Sequence, residues 1–318
     1  MPYAMGKLPF EKRKPKIIVR HKDIKIGRFK QPGADALFKC GIVNLDKPAP
    51  MLSKAAVRKL KNGMEIWKAG HAGTLDPAVT GVLPIFFAKS RKLSGILTNA
   101  GKEYHCWMRV HGPISEAKVK AALKKFTGKI EQLPPKISAV KRVLRIREVY
   151  YIDYIGKERN TYEFIVGCQA GTYIRKLCHD IGEHLGTGAH MAKLIRTKAG
   201  PFKLKDSITL DDAFDLYRTY LKTKDEKLIV KLMQPIEVAV DFLPKVWIDD
   251  DVLPRLQHGS PVFAPGVVRV EDDIKVGDLV ACYTTGNVLA SVGLAEMDSK
   301  QMIKELHGMA VKTDVVMI

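Results

Sequence analysis

The sharpest chemical feature of this sequence is a carboxylate on a short loop, Gly70-His71-Ala72-Gly73-Thr74-Leu75-Asp76-Pro77. Two glycines let the backbone approach a ligand closely, and Pro77 biases Asp76 towards an extended conformation. His71 precedes the aspartate in the same loop, and the apolar run Val82, Leu83, Ile85 and Phe86 follows to anchor it. A lone Asp in such a loop is more often a turn residue. Here the combination predicts a carboxylate presented rigidly from a firm scaffold.

The elements that must position it can be read from periodicity. The segment Leu37–Leu45 reads as a strand ended by Asp46-Lys47-Pro48, and Val57, Leu60, Met64 and Trp67 fall at helical spacing between Ser53 and Gly70. Tyr104, Cys106, Met108 and Val110 alternate with His105, Trp107 and Arg109, which is a strand of period two. Ser115 can cap a helix whose stripe is Val119, Leu123 and Phe126. Tyr162, Phe164, Val166 and Cys168 give another strand. Gly171-Thr172 then opens a helix with Ile174, Leu177, Ile181 and Leu185 inward, closed by Gly186. Thr209 caps a further helix through Leu221. After Asp241 come short strands and turns, with Gly286-Asn287 suited to a two-residue hairpin. Strands and helices are interspersed without the regular alternation of a doubly wound fold. The expectation is an α+β domain on a mixed or antiparallel sheet, followed by a small, mostly β module.

Charge narrows the partners. The 318 residues carry a formal net charge of +19, which points to a polyanion. Residues 1–240 hold 46 Lys/Arg against 22 Asp/Glu, whereas residues 241–318 hold 7 against 12. The positive field therefore belongs to the first three quarters. Residues 1–34 carry ten Lys/Arg and two acids and cannot bury a core of their own. The segment Pro134–Arg147 has five Lys/Arg and no acid. Five scattered cysteines, Cys40, Cys106, Cys168, Cys178 and Cys282, suggest neither a zinc site nor a disulfide framework. No apolar run of about 18 residues predicts a membrane span. With no secretory leader evident, a cytoplasmic location is expected.

The loop Gly70–Pro84 (GHAGTLDPAVTGVLP) closely resembles the aspartate motif of TruB/dyskerin-type RNA pseudouridine synthases. Four more segments resemble that family's motifs in the family's order. They are Gly41–Pro48, Lys102-Glu103-Tyr104, Gly171–Arg175 with Leu177–Asp180, and Gly188–Leu194 with Arg196-Thr197. Landmarks in the last quarter, including Leu243–Ile248, His258–Pro261 and Ala264–Val268, resemble a PUA domain.

The resemblance implies a pseudouridine synthase fold spanning residues 37–240 and a PUA-like RNA-binding domain at 241–318, and the acidity of that module leads to the expectation that the basic extension at 1–36 packs on it. Isomerising uridine breaks N1–C1′ and joins C5 to C1′, so no cofactor or metal is required. Asp76 matches the aspartate that attacks C1′ or removes the C2′ proton, the residue set being the same for either route. Arg175 matches its arginine partner, which favours the ionised carboxylate. Tyr104 matches the tyrosine that stacks on the flipped base and can help remove the C5 proton. Ile174 and Leu194 are expected as apolar walls, with Tyr173 and Lys47 nearby, Lys47 either at the RNA or fixing the loop. His71 is a candidate wedge or phosphate contact, or a structural histidine. Lys141, Arg142 and Arg145 belong to the region resembling the family's mobile RNA-closing loop. One departure stands out: Met51-Leu52-Ser53-Lys54 replaces a family segment that usually carries a histidine, with Lys54 as a substitute phosphate ligand.

The archaeal, dyskerin-like type is favoured. It implies a box H/ACA guide RNA, ribosomal RNA as the main substrate (tRNA as another), and small accessory proteins: zinc-ribbon-like, β-barrel and kink-turn-binding. Guide-free action on tRNA and a non-catalytic H/ACA scaffold are the alternatives.

Overall fold

A computed structural model describes residues 6–134 and 141–318. In chain order the strands are β1 (Ile17–Val19), β2 (Ile42–Lys47), β3 (Ala69–His71), β4 (Thr80–Phe87), β5 (Lys102–Val110), β6 (Gly128–Gln132), β7 (Arg145–Glu158), β8 (Thr161–Cys168), β9 (Ala189–Ala199), β10 (Phe202–Lys203), β11 (Lys245–Ile248), β12 (Val262–Phe263), β13 (Val267–Glu271), β14 (Leu279–Tyr283), β15 (Leu289–Ala295) and β16 (Met309–Val316). The main helices are α1 (Ala34–Cys40), α2 (Ser53–Gly63), α3 (Ser94–Thr98), α4 (Glu116–Lys125), α5 (Ile174–Leu185), α6 (Leu210–Thr223) and α7 (Glu226–Leu232).

One sheet runs β2-β4-β9-β5-β8-β7-β6, with β3 and β10 attached to β4 and β9. All its pairings are antiparallel except β4 with β9. This is the mixed sheet expected of the interspersed pattern. Its inward residues Cys106, Met108, Val110, Phe164 and Val166 share a core with Val119 and Leu123 of α4 and with Ile174, Leu177 and Ile181 of α5. Ser115 accepts from the Lys118 amide, Thr209 from the Asp212 amide, and Gly186 closes α5 at φ +72°. Each is a predicted cap.

Two readings are corrected. Leu37–Cys40 belongs to α1, not to a strand, and β2 begins only after Gly41. Ala34 and Leu37, three apart, face the core, and a Glu226 carboxylate accepts from the Ala34 amide (3.1 Å), so tertiary contacts carry a short helix. Trp67 lies outside α2 and is 82% exposed. The helix stops at Gly63, packed against Phe214, and Glu65 turns the chain at φ +55°.

The second sheet runs β1-β13-β11-β14-β15-β16-β12. Asn287 forms the β14–β15 turn at φ +62° and accepts from the Trp247 indole (2.9 Å). A shared apolar cluster joins the sheets: Ile42, Val82 and Phe86 on one side, Trp247, Tyr283 and Val292 on the other. The N-terminal segment touches both. Leu8 is buried against Tyr151 and Ile165, and Glu11 meets Lys198 at 3.1 Å. Arg13 then pairs with Glu271 (2.6 Å) and Asp273 (2.7 Å), and β1 adds to β13. Basic arm meets acidic edge. Among the described residues no helix is long and apolar enough to cross a membrane.

Candidate active site

Asp76 is held by fixing the residues around it. The Leu75 amide donates to Ser53 Oγ (2.9 Å) and Ser53 Oγ donates back to the Leu75 carbonyl (3.1 Å). The Pro77 carbonyl accepts from the Met51 amide (3.1 Å) and from Lys47 Nζ (3.1 Å). The Ala72 amide donates to Pro84 (3.2 Å) and the Val79 amide to the Asp76 carbonyl (3.0 Å). The carboxylate is half-exposed and accepts from the Arg175 guanidinium.

Arg175 comes from the first turn of α5. Gly171, at φ +78°, turns the chain into that helix, and Thr172 Oγ1 donates to Gln169 (2.7 Å). Gln132 holds the backbone of Tyr173 at both ends, accepting from its amide (2.9 Å) and donating to its carbonyl (3.1 Å). Gln132 ends β6, immediately before the basic segment, so the start of α5 and the root of that segment are tied together. Of the Pro134–Arg147 segment, residues 135–140 lie outside those described. Lys141 and Arg142 are exposed, and Arg145 donates to the Lys141 carbonyl (3.4 Å).

Tyr104 and Arg196 are direct cross-strand neighbours on β5 and β9, and the phenol feels the guanidinium charge. Burial pushes the phenol above its ordinary value. Ile174 and Leu194 are buried in the core that also contains Leu75, with Tyr104 packed against it. Arg175 thus contacts Asp76, and Tyr104 lies close enough to feel the Asp76 charge.

Three buried basic side chains lie under that loop; a loop-fixing role was one of the two readings of Lys47, while those of Lys102 and Arg196 were not evident from the sequence. Arg196 donates Nε to the Val82 carbonyl (2.7 Å) and Nη2 to the Gly73 carbonyl (3.0 Å). Its strand approaches β4 so closely that a Cβ at Gly81 would stand 2.3 Å from the Arg196 carbonyl oxygen. Lys47 is fully buried and gives its protons to Pro48 (2.8 Å), Met51 (2.7 Å) and Pro77. All three are used, which places Lys47 behind the loop rather than at a phosphate. Lys102 donates to Leu97 (3.0 Å), Thr98 (2.7 Å) and Ala100 (2.6 Å). Burial, then the nearby Arg196 charge, pulls its ammonium down to about 7. The signal for Arg196 was a cation on the same strand face as Leu194.

His71 lies on β3 with Nδ1 buried and without a hydrogen-bond partner. Burial first, then Arg196 and Lys54, lowers its pKa from the ordinary histidine value. The atypical segment holds the loop through its backbone at Met51 and its hydroxyl at Ser53. Lys54 stands exposed beside His71.

Comparisons with known proteins agree with this geometry. The N-terminal domain model of TruB family pseudouridylate synthases matches residues 59–113 and 109–174. The tRNA pseudouridylate synthase B C-terminal domain matches 175–241, and the PUA domain matches 244–317. "Probable tRNA pseudouridine synthase B" of Pyrococcus abyssi is 44% identical over 87% of this chain and 83% of its own length. Its namesake in Methanopyrus kandleri is 44% identical over 87% and 82%. Among solved structures, a Cbf5–Nop10–Gar1 complex matches at 41% identity and TM-score 0.92, covering 98% of this chain and 96% of that one. An H/ACA ribonucleoprotein bound to a substrate RNA containing 2′-deoxyuridine matches at 37% and 0.90, covering 98% and 97%. Fold and site define an RNA isomerase with an attached PUA domain. The chain belongs to the TruB family of pseudouridine synthases.

Proposed function

We propose that this protein converts uridine to pseudouridine, mainly in ribosomal RNA, as the catalytic subunit of a box H/ACA guide particle. The observation that carries the site is the pinned Asp76 loop facing Arg175, with Tyr104 beside it. The guide reading is supported by likeness along nearly the whole chain to Cbf5, solved with Nop10 and Gar1. Residues 37–240 do the chemistry and residues 241–318 grip the guide. The basic extension 1–36 fastens the two together, through Glu11–Lys198 at one end and Arg13–Glu271 at the other. Small accessory proteins complete the particle, which works in the cytoplasm.

In this reading the target uridine leaves its stack at a cost of a few kcal/mol. His71 fills the space it vacates, and Tyr104 stacks on the flipped base between the apolar walls Ile174 and Leu194. Asp76, paired with Arg175, acts on the ribose. The N1–C1′ bond breaks, the base turns, C5 joins C1′, and the C5 proton is removed with the help of the Tyr104 phenol. Tyr173 shapes the rim. Lys47 and Arg196 act through the loop they hold.

A second reading, guide-free action on tRNA, is favoured by the names of the curated relatives. The discriminating assay measures pseudouridine in a ribosomal RNA fragment and in tRNA, with and without an H/ACA guide and accessory proteins. Product that requires the guide supports the first reading. Full product in tRNA without any guide would replace it with the second.

Lys141, Arg142 and Arg145 are proposed to close over the RNA and meet its phosphates. Replacing all three with Gln is expected to lower the slope of log affinity on log salt by about 2, at about 0.7 per single-strand phosphate. An unchanged slope in a salt titration by fluorescence anisotropy would remove them from the interface.

A further inference from the structure

The proposed reaction leaves Trp67 without a task. It projects from the loop between α2 and β3 with 82% of its surface in solvent. The other two tryptophans are engaged: Trp107 stacks on His105 at 3.9 Å, and Trp247 donates to Asn287. A large indole left in water calls for a ligand, since Trp is highly buried on average. Its surroundings say which kind. From Lys54 to Lys92 the sequence has eight Lys/Arg and two acids, Glu65 and Asp76. Lys54, Arg58, Lys68 and Arg91 are all exposed. The Arg91 side chain passes over Gly70, 3.7 Å from where a Cβ would stand, and Lys54 acts on His71. Cations thus stand beside Trp67 (Lys68) and beside Gly70 and His71 at the start of the Asp76 loop (Arg91 and Lys54).

We propose that Trp67 is a stacking platform for an unpaired base of the substrate RNA, in the strand flanking the target uridine. The surrounding cations hold that strand's phosphates. This inference rests on the reading of RNA as the substrate. Stacking on an aromatic ring within a positive surface is how single strands are held without sequence readout. Lys68 Nζ lies 5.9 Å from the ring centroid, at the outer limit of a cation–π contact, so it is easily displaced by a base. A protein partner would call for a contiguous apolar patch. The exposed residues nearest in the chain are Asn62, Gly63, Glu65 and Lys68, none of them a large apolar residue.

The test uses the full chain with a single-stranded uridine-containing RNA of about 12 nucleotides and a duplex of equal length. Trp67→Ala is expected to weaken single-strand binding about tenfold, the effect of losing one base–aromatic stack, and to leave duplex binding unchanged. Trp67→Phe should keep most of the affinity. RNA should quench wild-type tryptophan emission, and that quenching should be absent in Trp67→Phe. Unchanged single-strand affinity in Trp67→Ala would overturn the proposal, as would equal loss on both RNAs. So would intact RNA binding with failed accessory-protein assembly, which would mark a protein contact. If Asp76→Asn still made product, the catalytic reading would fail while the Trp67 result stood by itself.

Discussion

Asp76→Asn is expected to lower the rate of pseudouridine formation by about 10³-fold or more, as loss of a group acting directly on the reacting atoms does. The substitution is nearly isosteric, so the loop should stay in place. None of the bonds that fix that loop uses the carboxylate: they run through Ser53, Met51, Lys47 and the backbone of Leu75 and Pro77. The Asp76–Arg175 pair is half-exposed, and such pairs contribute at most about 1 kcal/mol to stability. Thermal unfolding and RNA affinity should therefore match wild type while single-turnover product disappears. Arg175→Lys keeps the charge but loses the planar fork, and its rate should fall between the two. If Asp76→Asn turned over at the wild-type rate in a tritium-release assay, the aspartate would have no part in the chemistry.

The elements that carry this candidate site could be read from local rules, whereas the choice of Tyr104 and Arg175 on them rested on the resemblance to the family's motifs. Period two exposed the strand carrying Tyr104, and the Gly171-Thr172 opening exposed the helix carrying Arg175. What periodicity cannot see is a short element held by tertiary contact. Leu37–Cys40 is apolar enough for a strand and becomes helix because its faces meet the core and Glu226 caps its start. Trp67 continued a helical stripe on paper, yet a positive-φ turn at Glu65 ends the stripe one step earlier. The N-terminal route was only half foreseeable. Its charge complements the acidic edge near Glu271, but the burial of Leu8 against Tyr151 depends on sheet surfaces far away in sequence. Buried cations are the hardest to read, because a Lys or Arg in a strand is ordinarily an exposed position. Lys102 and Arg196 reveal their purpose only when the carbonyls they serve are in view, and the same carbonyls decide between the two readings of Lys47.

Those carbonyls make Arg196 the residue whose loss should cost most outside the aspartate itself. Its side chain is fully buried and, among the described residues, its hydrogen-bond partners are the Val82 and Gly73 carbonyls rather than a carboxylate. Arg196→Met fills similar volume but leaves two carbonyls unpaired in a dry interior. Each such group costs about 1–3 kcal/mol. Removing a desolvated charge offsets part of that, so a net loss of about 3 kcal/mol is expected in urea unfolding. Arg196→Lys separates charge from geometry. One ammonium cannot span Val82 and Gly73 as the guanidinium fork does. The lysine variant should therefore recover some stability while activity stays low, because the Gly73 end of the Asp76 loop loses its anchor. Full activity in Arg196→Lys would mean that charge alone is needed there, and that the loop is held well enough by Lys47 and Ser53.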